Sequence, residues 1–296
     1  MTARISPFSK ISPAWATVLF SCLVFGLPLL LLAAYSLGLV QILNGDPGPS
    51  LAGWQEFFAS PYLGLYMRSL RVALFTAIVC TLFAYPVAYY LAAQPEERAQ
   101  KLLILILLPF VTSFLLRVLS WRVILSDFGV IQSFAASLGL WPADEPMMAL
   151  LYNYFAVTII LVYAWLPLAV LPIYASLSLT DVRLVEAAVD HGANRWTAFF
   201  TVTLPTSAPG VAAAFILVFV PVNGEYVAPI LVGGANGVLF GNSVANMFGE
   251  GFDWSFAAVL ASFLFLSVIS LLAIIAFALW IVPKWRQRPV PGMVTA

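Results

Sequence analysis

Six stretches of mostly apolar residues, at 16–39, 70–91, 102–119, 156–178, 211–231 and 256–282, constrain this chain more than any other feature. Crossing a hydrocarbon layer takes about 20 such residues in helical form. No water reaches that layer to satisfy backbone N–H and C=O groups, so a spanning segment must bond them internally. The expectation is an all-α integral membrane protein with six transmembrane helices. Composition agrees: 62% of the 296 residues are hydrophobic and only 9% charged, far from the balance of a soluble domain. An even number of spans places both termini on one side. The third and fifth stretches are the least clean, because Arg117 lies in one and Glu225 in the other.

Basic residues near span ends set orientation. Arg4, Lys10, Arg98, Lys101, Arg183, Arg195, Lys284, Arg286 and Arg288 fall on one side, against Arg68, Arg71, Arg117 and Arg122 on or near the other. The richer side is expected to be the cytoplasm, with both termini and the loop around Glu186 in it. Arg4 and Lys10 precede a long apolar run with no short cleavable region, so a retained first span is expected rather than a signal peptide. Net charge is +0, which predicts no nucleic-acid partner.

Several chemistries lose their residues at this stage. Cys22 and Cys80 both lie in apolar runs, where thiols act as small packing groups. The single histidine, His191, has no neighbouring Cys or second His, so no metal or His-based catalytic site is expected. No Gly-x-x-x-x-Gly-Lys-Ser/Thr occurs. Work against a gradient would take its energy from another subunit or from a coupled ion.

Between the spans, Asn44 to Tyr66 combines a turn marked by Gly45, Pro47, Gly48 and Pro49 with Trp54, Phe57, Phe58 and Tyr62, aromatics suited to the headgroup interface. Gly129 to Leu140 reads as a short amphipathic helix ended by Trp141-Pro142. The segment from Gly233 to Trp254 is too polar for lipid and too apolar for water. It is either a segment dipping into the mouth of the bundle or a surface loop with an interfacial helix.

The polar stretch from Glu186 to Pro205 sits between two apolar runs and must project into water. Ala and Glu on either side of Gly192 suggest two short helices and a turn. Small Ala187 and Ala188 admit a close partner surface, Glu186 offers a carboxylate, and Gly192 permits the turn. Leu204-Pro205 is expected to end the cytoplasmic helix.

Glu186-Ala187-Ala188, then Gly192, Val202, Leu204 and Pro205, resemble the signature of the inner-membrane permease subunits of binding-protein-dependent ABC importers, at every spacing. In that family the loop forms coupling helices that seat on the ATP-binding subunit. His191 departs from the commoner aliphatic residue before the glycine. The segments Tyr85 to Tyr89, Leu108 to Arg117 and Leu166 to Tyr174 further resemble the spermidine/putrescine importer permeases, the first of the paired subunits more than the second.

In that setting Glu225, with Tyr226 and Asn223 beside it, is the candidate substrate pathway. A carboxylate at membrane depth normally faces a water-filled cavity or a partner. Tyr226 supplies a cation–π face and Asn223 a hydrogen bond. The alternatives are an ion pair between Glu225 and Arg117, or packing against the companion permease. Arg117 is expected to be structural, neutralising a carboxylate or snorkelling beside Trp121 and Arg122.

The resemblance implies a type I ABC importer permease fold, with a cytoplasmic tail at 1–15, the first span and outer loop at 16–66, the importer domain at 67–282 carrying its coupling loop at 181–205, and a second tail at 283–296. It implies a bacterial inner-membrane location and several partners: a second permease subunit, an ATP-binding subunit dimer, a periplasmic solute-binding protein and membrane lipid. ATP and Mg would be used by the partner ATPase, with no cofactor on this chain and no enzyme activity of its own. Polyamines, putrescine and spermidine, are the expected cargo. The same machine with another small organic solute is the alternative, followed by an ion-coupled secondary transporter, for which no internal repeat is evident.

Overall fold

The computed structural model describes residues 13–40, 49–142 and 150–286, and the regular elements among them are helical. The Gly45, Pro47, Gly48 turn and the extreme ends of both tails lie outside those residues. In chain order the α-helices are α1 (Pro13–Ser21), α2 (Leu27–Ser36), α3 (Ala52–Ala59), α4 (Tyr62–Ala92), α5 (Glu96–Val111), α6 (Phe114–Leu125), α7 (Val130–Ser137), α8 (Tyr154–Ser178), α9 (Val182–Asp190), α10 (Arg195–Ala198), α11 (Leu204–Asn223), α12 (Phe240–Phe248) and α13 (Trp254–Arg286). A π-helical turn at Cys22–Gly26 joins α1 to α2, and another at Phe199–Thr203 joins α10 to α11. Contacts divide the chain into two units, Met1–Leu63 with Ser243–Leu266, and Gly64–Asn242 with Ser267–Ala296.

Among the described residues, five runs are long and apolar enough to cross a membrane: Thr17–Ser36, Tyr62–Ala92, Tyr154–Ser178, Arg195–Asn223 and Trp254–Ala278. A sixth exists only as a broken pair. The expected straight span at 102–119 bends by 80° between α5 and the helical run that begins at Phe114. Thr112 and Ser113 are extended at that break, and Pro109 just before it withholds a backbone donor from the last turns of α5. The fifth expected stretch, 211–231, is also displaced. Its helix starts at Arg195 and stops at Asn223, where Gly224 and Glu225 interrupt it.

In the first unit, Phe57 of α3 and Tyr62 at the start of α4 pack inward. Phe57 is fully buried with its ring 4.5 Å from Phe263, and Tyr62 meets Phe256 at 5.3 Å, while Phe58 remains exposed. Leu19, Phe20, Phe25 and Leu30 of the first span are exposed, as lipid-facing residues are.

In the second unit the core is a set of close helix crossings. Ala73, Ala77, Cys80, Ala84 and Ala88 recur every three or four residues along α4 and are all fully buried. Hydrophobicity gives helices no reason to associate within lipid, so small residues that let backbones approach supply the packing instead. The Cys80 thiol donates to the Val162 carbonyl of α8 at 3.5 Å. On α11, Ser207, Gly210, Ala214 and Val218 form the matching buried stripe. A Cβ at Gly210 would stand 2.4 Å from Ser176 Cβ and 2.5 Å from the Pro172 carbonyl oxygen of α8, so only glycine fits there.

The 233–242 part of the polar segment after Glu225 packs into this unit rather than lying on its surface. Leu239 and Phe240 are buried, and the Phe240 N–H donates to Ser69 Oγ at 2.6 Å. α7 confirms a short helix within 129–140 but ends at Ser137, ahead of Trp141-Pro142, and it buries Gln132 and Ala135 while Val130 and Phe134 are exposed.

Candidate functional site

The element around Glu186 is a capped helical turn. Asp181 accepts the Arg183 N–H at 3.0 Å to start α9, an N-cap that satisfies a donor the helix leaves free. α9 ends in a Schellman motif: Gly192 N–H donates to the Val189 carbonyl at 2.8 Å and Ala193 N–H to that of Ala188 at 3.0 Å. That motif needs a left-handed residue after the helix, and Gly192 has φ +87°. His191 Nδ1 is hydrogen-bonded at 2.8 Å to the Ala187 carbonyl, so its ring reinforces the turn.

Asn194 then caps α10 through the Thr197 N–H at 2.8 Å. Here the structure departs from two short helices. α10, the π turn and α11 run on as one helix from Arg195 to Asn223, and Leu204-Pro205 ends nothing. The wider π turn at 199–203 lies just ahead of Pro205, where its ring would crowd a carbonyl of an ordinary α-helix. One rigid element therefore joins the turn to a membrane span. Phe199 within it packs edge-on against Tyr85 at 5.7 Å and Tyr89 at 6.1 Å of α4, and Tyr85 Oη is 3.0 Å from Ser207 Oγ.

Glu186 and Ala187 are exposed and Ala188 half-buried, as a docking surface requires. Leu204 and Pro205 are half-buried in the helix and lie away from the exposed tip. Sequence reasoning missed Leu184, Trp196 and Phe200, exposed apolar side chains on the same element; Trp196 is 70% exposed. A tryptophan in a polar stretch that must face water was the available signal, since such a residue marks interaction surfaces.

At the other end of α11, Glu225 Oε1 accepts three backbone N–H groups, from Tyr226 at 3.1 Å, Val227 at 2.7 Å and Ala228 at 3.2 Å. The carboxylate thus caps the short helical segment that follows it. It forms no ion pair with Arg117, so that alternative is set aside. Asn223 is 1% exposed and neither atom of its amide finds a partner, whereas Tyr226 is about half exposed. Asn242 Nδ2 donates to the Tyr226 carbonyl at 2.9 Å, and Gly241 abuts the Gly224 and Glu225 carbonyls. The three candidate pathway residues are adjacent but unlike in setting: one capped, one orphaned, one open.

Residues 57–287 match the family described as binding-protein-dependent transport system inner membrane component. The chain is 36% identical over 197 residues to the spermidine/putrescine transport system permease protein PotB of Salmonella typhimurium, covering 67% of this chain and 68% of that one. It is 31% identical over 286 residues to PotB of Haemophilus influenzae, covering 96% of each. Among solved structures it matches a bacterial alginate ABC transporter in complex with an alginate pentasaccharide-bound periplasmic protein, with a TM-score of 0.66, 17% identity and 94% of each chain covered. At that identity the likeness carries the fold, that of a type I importer permease. The chain belongs to the family of binding-protein-dependent transport system inner membrane components and is a multi-pass permease subunit of such an importer.

Proposed function

We propose that this permease carries polyamines, putrescine and spermidine, as one half of a translocation path completed by a distinct second permease subunit. An ATP-binding subunit dimer docks on the cytoplasmic face at Glu186, Ala187, Ala188 and Gly192, and a periplasmic solute-binding protein delivers cargo on the opposite face. ATP and Mg are used by the ATPase pair, and both termini lie in the cytoplasm, as the distribution of Lys and Arg supports. ATPase closure pushes on the turn, and the continuous helix from Arg195 to Asn223 transmits the displacement toward Glu225 and Tyr226. Leu204 and Pro205 serve this reading as part of the lever, not of the docking tip.

The observation that carries the reading is the Schellman-capped turn at Gly192, which joins α9, with Glu186 exposed on it, to the helix that runs from Arg195 into a span. The full-length likeness to polyamine permeases supports the cargo. Another small organic solute is the second reading, favoured because Glu225 Oε1 is committed to three backbone donors and leaves only Oε2 for a cation.

The test is ATPase activity of the reconstituted importer. Glu186→Arg and Gly192→Pro should each reduce stimulation by the liganded binding protein more than about tenfold, the scale of losing an interface hot spot. Normal stimulation in both variants overturns the docking assignment. Solute screening on the same complex decides between polyamines and other cargo.

A further inference from the structure

We propose that Arg117 holds the phosphate of a membrane phospholipid at the elbow between α5 and α6. Arg117 is 8% exposed and lies at membrane depth, yet no carboxylate among the described residues pairs with it. A guanidinium has five N–H donors. One of them, on Nη1, reaches the Pro109 carbonyl at 3.2 Å, an acceptor already shared with Thr112 Oγ1 at 2.7 Å. Nε is buried with no partner. Phe110 and Phe114 lie 5.1 and 5.9 Å from the guanidinium carbon, which eases the charge without neutralising it. Arg117 also sits in the first turns of α6, whose Ser113 N-cap makes no side-chain hydrogen bond to the free N–H groups there. A cation and an uncapped positive helix end thus share one place and both want an oxyanion.

The space beside them is amphiphilic. A cavity of about 540 Å³ opens at Arg117, Ser120 and Trp121 and continues along Leu108, Leu116 and Ile124. Leu108 and Leu116 are each more than half exposed, and no hydrophilic cargo gains from such a wall. The elbow lies at a fitting depth. Pro109, to which the guanidinium is bonded, lies about 20 Å along α5 from the charged end at Glu96, so the Arg117 head group stands in the far half of a hydrocarbon layer about 30 Å thick. Phosphate groups line the far edge of that layer, and Trp121 is of the type found there. A phosphodiester at the cation with an acyl chain along the leucines accounts for the charge left without a counter-ion, the uncapped helix end and the apolar wall together. This rests on the membrane-spanning fold and not on the cargo.

Native mass spectrometry of the intact importer complex in detergent tests the proposal, with phosphatidylglycerol, diacylglycerol and glycerol 3-phosphate as probes. Phosphatidylglycerol should remain bound to the native protein and to Arg117→Lys, and weaken about tenfold or more in Arg117→Gln, the scale of losing a charged hydrogen-bond partner. Leu116→Trp, which fills the apolar arm and leaves the cation, should weaken it as well. Diacylglycerol binding as tightly as phosphatidylglycerol, or unchanged phosphatidylglycerol binding in Arg117→Gln, overturns it. Glycerol 3-phosphate competing on equal terms overturns the lipid and leaves a soluble-anion site. Arg117→Gln complexes that keep the lipid but lose the companion permease would place a protein carboxylate there instead.

Discussion

Glu225 shows how two roles can share one carboxylate. Its Oε1 holds three N–H groups at the start of a short helical segment, while Oε2 makes no hydrogen bond among the described residues, so charge and cap are separable by substitution. Glu225→Gln keeps an oxygen acceptor and removes the charge. Transport assays should show a raised KM for putrescine with the complex fully assembled, and an unchanged KM would take the charge out of the pathway. Glu225→Ala removes both roles and should lower thermal stability in detergent by about 1–2 kcal/mol, the usual worth of an N-cap. Sequence identified the residue as exceptional because a charge stood in an apolar stretch. It did not reveal the cap, since the three donors become neighbours of one oxygen only through the local fold at Gly224. For Arg117 the same limit applied in reverse, because a missing partner is a property of packing.

At the scale of elements, the lever built from α10, the π turn and α11 packs closely against α8. Gly210 lies against Pro172 and Ser176 of α8 with no room for a Cβ. Gly210→Ala should therefore cost about 1–3 kcal/mol, as overpacking does, read as a lower melting temperature of the purified permease. Gly210→Val should abolish assembly of the importer. A melting temperature equal to the native protein's in Gly210→Ala would mean that α8 moves aside and the crossing is not tight. Hydropathy placed α4 and α8 within a few residues of their buried stretches but misjudged α5 and α11. Leu204-Pro205 reads as a helix end, yet a π turn and the crossing with α8 keep that helix continuous. The stretch 102–119 reads as one span, yet the chain bends by 80° three residues after Pro109.

For the whole molecule, orientation is the property on which coupling depends. Asp190→Cys, beside the Gly192 turn, should react with a membrane-impermeant maleimide only in inverted vesicles, and Asp127→Cys only in spheroplasts. The opposite pattern would reverse the assignment of the docking face. Native Cys80 is buried and contributes little background, and exposed Cys22 is replaced by Ser in both variants. Six apolar stretches of spanning length and the Glu186 to Pro205 spacing were enough to read the fold class and the machine, because hydrocarbon permits few backbone solutions and the motif demands several residue types at fixed intervals. What Phe57, Gly210, Glu225 and Arg117 touch was settled by tertiary packing. Each of those side chains is defined by residues tens to hundreds of positions away or by the local path of the backbone, and hydropathy along the chain carries neither.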